Sequence, residues 1–148
     1  MRYFFFLFLF SCASSEVVLG PEQEIERNNL VENLLVRFIE EVRDHRDLEE
    51  AEKLIFLAYE LNPKDERVLD GLATLYYLRD DYSKAKTYLL AAIEINPQYD
   101  RPYTHLALIA EEEADLEAAE ALLRYALSLN PTNSVSYTHL RAHETNVD

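Results

Sequence analysis

The residues in this sequence able to do chemistry are a few histidines, a run of carboxylates, one cysteine and two evenly spaced arginines. His139 and His143 lie four apart, the spacing that sets two imidazoles on one helical face as metal ligands. Glu111-Glu112-Glu113 with Asp115 gathers carboxylates, but a hard cation needs oxygens converging from an irregular loop. A solvated helix end is the expectation there. His45 and His105 have no Cys or Ser arranged beside them, so surface positions are expected for both. One cysteine, Cys12, excludes an internal disulfide and a cysteine-cluster metal site. Two glycines leave no room for a Gly-rich phosphate loop. No catalytic residue, metal or cofactor is expected.

The histidine pair carries a further reservation. Val135 to Thr145, VSYTHLRAHET, corresponds residue by residue to translated sequencing adapter, a transposase mosaic end used in library preparation. The pair is assigned to that segment, and 134–148 is set aside as the truncated start of a further repeat followed by adapter sequence.

The elements that must position the rest come from a 148-residue chain with 14 Lys+Arg against 28 Asp+Glu, a formal charge of −14. That length fits one domain. The acid excess repels nucleic acid and anionic lipid surfaces, so neither is expected as a partner. Asn62-Pro63, Asn96-Pro97 and Asn130-Pro131 are spaced by 34 and 34. They divide the chain into units 32–65, 66–99 and 100–133. Leu69, Leu72, Ala73 and Tyr76 step by three and four, as one helical face does, and Ala85, Leu89, Ala92 and Ile93 repeat the stepping. Asp47, Asp80-Asp81 and Asp115 are placed to cap second helices, Asp47 with Glu50 as a capping box. Each Asn-Pro ends a helix, because the residue before proline is pushed out of helical space. Helices are expected near 22–45, 47–61, 66–79, 82–95, 100–113 and 116–129, with no strands.

These residues resemble the tetratricopeptide repeat. The second unit carries the pattern in Leu69, Leu72, Ala73, Tyr76, Ala85, Leu89, Ala92 and Pro97. The third carries it in Tyr103, Leu106, Ala107, Ala119, Leu123, Ala126 and Pro131, and the first in Leu35, Phe38, Ala51, Ile55, Ala58 and Pro63. Ile39 and Val42 depart from it, standing where a small residue and Tyr are usual, so the first helix pair is expected to sit further apart. The resemblance implies an all-α right-handed solenoid of three stacked helix pairs. Such units bury their apolar faces only against one another. With no capping helix after Pro131, the pair at Leu116 to Leu129 is expected to present apolar surface, with self-association through that open end.

In this family the first helices line a concave groove, so equivalent positions form ladders. Asn33, Arg67 and Arg101 make one; Val36, Asp70 and Thr104 another; Glu40, Thr74 and Leu108 a third; Arg43, Tyr77 and Glu111 a fourth. Arg67 and Arg101 could grip carboxylates of an acidic protein or peptide segment by forked hydrogen bonds. Tyr77 would add a rigid contact. The alternative is that the arginines pair with local acids such as Asp70 and Asp100. Ligand-binding positions are thus expected at Asn33, Arg67, Asp70, Thr74, Tyr77, Arg101 and Thr104. The two-carboxylate clamp of chaperone-tail-binding members is not expected. Its places here are Val36, Glu40, Gly71, Arg101 and His105, of which only Arg101 is compatible.

At the other end, MRYFFFLFLF is one Arg and an apolar run too short for a spanning helix, which needs about 20 residues, but right for a signal peptide over 1–11. Leu9-Phe10-Ser11-Cys12 resembles the lipobox of bacterial lipoproteins, with Phe10 bulkier than usual. That implies lipid attachment at Cys12, and several acyl chains give stable anchoring where one would not. The membrane is then met through the lipid alone; a soluble secreted or periplasmic form is the alternative. Residues 12–31 are a tether leading into the first helix. The function these readings imply is a non-enzymatic protein-binding scaffold, envelope-anchored and serving complex assembly. The alternative is the N-terminal repeat module of a longer enzyme or regulator.

Overall fold

A computed structural model describes residues 19–45 and 48–145. The signal peptide, Cys12 and Asp47 lie outside the described residues. Every element among those described is helical: α1 (Pro21–Glu40), a π-helical turn (Glu41–His45), α2 (Leu48–Leu61), α3 (Glu66–Tyr77), α4 (Tyr82–Ile95), α5 (Arg101–Glu112), α6 (Leu116–Leu129) and α7 (Ser134–Thr145). α1–α2, α3–α4 and α5–α6 pack as pairs, and each pair lies on the next through α2–α3, α4–α5 and α6–α7. This is the all-α solenoid that the period requires.

Local chemistry sets the boundaries. Pro21 opens α1, and the Gln23 side chain accepts from the Gly20 N–H at 3.1 Å, closing one half of a capping box. Asp65, Asp81 and Asp115 cap α3, α4 and α6 by accepting from the amides of Arg67, Lys84 and Ala118. Asp80, expected as a cap beside Asp81, does another job. It takes φ 58, and Ala114, one period later, takes φ 61. There the first helix of each pair ends in a left-handed residue whose successor reaches back: Asp81 N–H to Tyr76 O at 3.0 Å, Asp115 N–H to Ala110 O at 2.9 Å. This reversal ends α3 and α5 one or two residues before the periodicity suggests.

The core is layered by repeat. Leu34, Phe38, Ile55, Leu69, Leu72 and Ala92 belong to one cluster; Ala73, Ala85, Leu89 and Ile109 to the next; Ala107, Ala119, Leu123 and Leu140 to a third. Ala58, Ala92 and Ala126 are fully buried, as close approach between layers demands. The first pair shows what the departure at Ile39 does. Ala73, its counterpart, is 1% exposed, whereas Ile39 is 43% exposed. An isoleucine does not fit the close contact that Ala73 makes, so it faces outward, and two residues later α1 gives way to the π-helical turn.

The open end also differs from expectation. Residues 134–145, set aside above, form α7, which lies on α6. Leu140 packs against Ala107, Ala110, Ala119 and Leu123, covering part of the surface expected to be bare. The register explains the fit: Tyr137-Thr138-His139-Leu140 repeats Tyr103-Thr104-His105-Leu106 one period on.

Candidate functional site

The first helices α1, α3 and α5 stand side by side. A recess of about 200 Å³ opens there, several times the roughly 30 Å³ share of one water. Its walls are Glu32, Leu35, Val36, Phe38 and Ile39 from α1, Arg67, Asp70 and Gly71 from α3, Arg101 from α5, and Tyr99 from the loop before α5.

Of the expected ligand-binding residues, Arg67, Asp70 and Arg101 meet at this recess; the other four do not. Asn33 is spent on the Asn29 carbonyl at 3.0 Å. The Thr74 hydroxyl bonds back to the Asp70 carbonyl at 2.9 Å. Tyr77 lies tilted against Tyr82 with ring centres 5.7 Å apart and donates to Glu112; burial, then that carboxylate, raises its pKa. Thr104 is 3% exposed and shares a 2.7 Å hydrogen bond with the buried Ser136, so it joins repeats instead of facing a ligand.

Both arginines are already engaged. Arg67 bonds both Asp65 oxygens, at 3.1 and 2.8 Å, and also pairs with Glu32 on α1. Burial opposes the charge on Asp65, but its bonds to the Arg67 side chain and backbone outweigh it and lower its pKa. Those bonds to Asp65, before any other cause, raise the Arg67 pKa. Arg101 Nε lies 3.2 Å from Asp70 Oδ2. The alternative of local pairing therefore holds for Asp70, while Asp100 instead accepts from Asn130 and Asn133.

Asp70 is the centre of the site. It is 1% exposed, accepts from His105 Nδ1 at 2.7 Å and from the Tyr99 hydroxyl at 3.4 Å, and faces Arg101 as its third partner. Burial, with the Asp70 charge beside it, pushes the Tyr99 phenol far above its ordinary value. His105 is thus a partly buried partner, contrary to the surface position expected. A buried carboxylate demands such donors, but sequence periodicity does not say which face Asp70 turns inward. Tyr99 and Glu32 were missed because each acts from far along the chain, Tyr99 29 residues after Asp70 and Glu32 35 before Arg67.

Gly71 lets α3 lie close against α2. A Cβ at that position would stand 2.5 Å from Ile55 Cδ1, so the floor is backbone held against α2. At the far end of the groove His139 Nδ1 and His143 Nε2 reach Glu111 at 2.8 and 2.7 Å. The rings meet the carboxylate directly, which makes Glu111 an inter-helix partner and not the solvated residue expected.

The Asn-Pro motif does more than stop helices. Asn96 and Asn130 donate to Glu66 and Asp100, the carboxylates 30 residues earlier, at 2.9 and 3.1 Å, while their own oxygens accept from the amides two residues on. Each asparagine ties the end of one repeat to the start of the same repeat.

Comparison with known proteins agrees with this architecture. Residues 67–99 and 100–133 match the tetratricopeptide repeat model. Among curated proteins no sequence matches the chain significantly. Among solved structures, an O-GlcNAc transferase of Thermobaculum terrenum superposes with a TM-score of 0.69 at 21% identity, over 77% of this chain but 22% of that one. The type III secretion translocator chaperone SycD of Yersinia enterocolitica gives 0.67 at 18%, over 84% of this chain and 99% of the other. The first tetratricopeptide domain of Spaghetti (RPAP3), bound to the HSP90 peptide SRMEEVD, gives 0.65 at 17%, over 80% and 94%. Residues 67–133 are two tetratricopeptide repeats, and these structures share their fold.

Proposed function

We propose that these tetratricopeptide repeats form a non-enzymatic scaffold that holds a segment of another protein in the groove of α1, α3 and α5. The observation that carries the reading is the recess itself. Val36 and Ile39 remain 46% and 43% exposed beside the buried Leu35 and Phe38. Exposed apolar side chains framed by polar groups suit a protein contact. The peptide-bound Spaghetti domain and the SycD chaperone support the same role by likeness of fold. The mechanism is recognition alone, with no bond made or broken.

We place the scaffold in a bacterial envelope, held by lipid on Cys12, on the strength of the lipobox-like Leu9-Phe10-Ser11-Cys12. No described helix is long and apolar enough to cross a membrane. A role in assembling envelope complexes follows from that placement. A second reading is favoured by the O-GlcNAc transferase likeness: the repeats match 22% of a much longer chain, so they would be the scaffold of a larger enzyme or regulator.

The groove reading is tested by pull-down from envelope extract with wild type and with Ile39→Asp/Arg67→Glu. Partners lost in the double variant support it, and identical partners in both refute it. For the anchor, labelling with a fatty-acid analogue should vanish in Cys12→Ala; labelling that persists refutes lipid attachment there.

A further inference from the structure

The recess combines aliphatic walls from α1 with two carboxylates and two guanidiniums, Glu32, Asp70, Arg67 and Arg101. Around the starts of α3 and α5 stand five carboxylates, Glu32, Asp65, Glu66, Asp70 and Asp100, against two guanidiniums, Arg67 and Arg101. Both guanidiniums are held by these same carboxylates. A ligand carboxylate would have to displace Asp65 and Glu32 from Arg67, and at Arg101, where Asp70 holds Nε alone, it would stand beside the Asp70 charge. Asp70 is 1% exposed and has no solvent to retreat into. A ligand cation meets the opposite situation. The Glu32 side chain is 58% exposed beside the recess and can accept from a second donor while keeping Arg67. The whole chain carries a formal charge of −14.

Resting on the groove reading above, we infer that the occupant is a partner segment with a large aliphatic side chain next to one or two lysines or arginines. The aliphatic group covers Val36 and Ile39, and the cation reaches the Glu32 carboxylate. Charge of this sign also steers association, which makes binding sensitive to salt.

The test is affinity selection of a random octapeptide library on the whole chain, run in parallel on wild type, Ile39→Ser and Glu32→Gln. Circular dichroism melts confirm that both surface variants fold. Peptides recovered by wild type and lost with Ile39→Ser should be rich in Lys or Arg beside Leu, Ile or Met. Their affinity should fall at least severalfold in Glu32→Gln and between 50 and 300 mM salt. Ile39-dependent peptides rich in Asp or Glu would overturn the inference and leave the groove reading standing. Lysine-rich peptides indifferent to Ile39→Ser would mark unspecific charge attraction and also overturn it. Recovery of no Ile39-dependent peptide would remove the groove reading, and the inference with it.

Discussion

Replacing Asp70 by asparagine tests whether the buried carboxylate holds the repeats together. The change keeps shape and removes charge. In the wild type the carboxylate takes a 2.7 Å bond from His105, a longer one of 3.4 Å from Tyr99, and an ion pair at 3.2 Å with Arg101. Hydrogen bonds to charged groups contribute about 1.5–3 kcal/mol each, but the three are unequal. The Tyr99 bond is long, and the Arg101 side chain is 48% exposed, so solvent screens that pair. His105 therefore dominates, and the expected loss is about 2–3 kcal/mol, well short of three full bonds. Asparagine also turns an amide N–H₂ toward groups that themselves donate. Urea denaturation followed by circular dichroism should show a midpoint lowered by about 1 M, with the slope unchanged. A double-mutant cycle with His105→Ala should give a coupling of at least about 0.5 kcal/mol. A loss under about 0.5 kcal/mol for Asp70→Asn, or no coupling, would show that the network is incidental and that the buried charge is held by something else.

Gly71→Ala should destabilise by about 1–3 kcal/mol through the clash with Ile55, and Ile55→Val should restore part of it when both melts are compared. Ala114→Gly should stabilise, because an alanine at φ 61 costs roughly 1–2 kcal/mol and glycine returns about half of that after its own entropy; a lower melting temperature would refute the strain. The lowered pKa of Asp65 means that its contribution is complete above the ordinary value of 3.8 and is lost as pH falls through the lower folded value. Melting temperatures from pH 6 down to 2.5 should therefore fall less steeply in Asp65→Asn than in wild type.

Spacing alone determined much of this protein. Three Asn-Pro pairs a fixed distance apart state that one unit is built three times, and apolar steps of three and four state that each unit is helical. The aspartates before α4 and α6 announce the caps. Such features are legible because they are local: a helix face and a cap need only residues a few places apart. Groove positions were legible as a ladder, since equivalent residues in stacked units must fall in line.

Only the tertiary structure decided what those positions do. Thr104 and Asp70 share a ladder, yet one seals a layer against Ser136 and the other gathers His105, Tyr99 and Arg101. Arg67 and Arg101 stand one period apart in sequence, open to a ligand or to local acids, and folding gives each an acid on another helix, Glu32 on α1 and Asp70 on α3. Ile39 is a fault in the pattern until folding leaves it 43% exposed, in the wall of a recess. Each outcome depends on which side chain of a neighbouring repeat arrives at the same place. That is fixed by how one layer sits on the next, and nothing within a few residues along the chain encodes it.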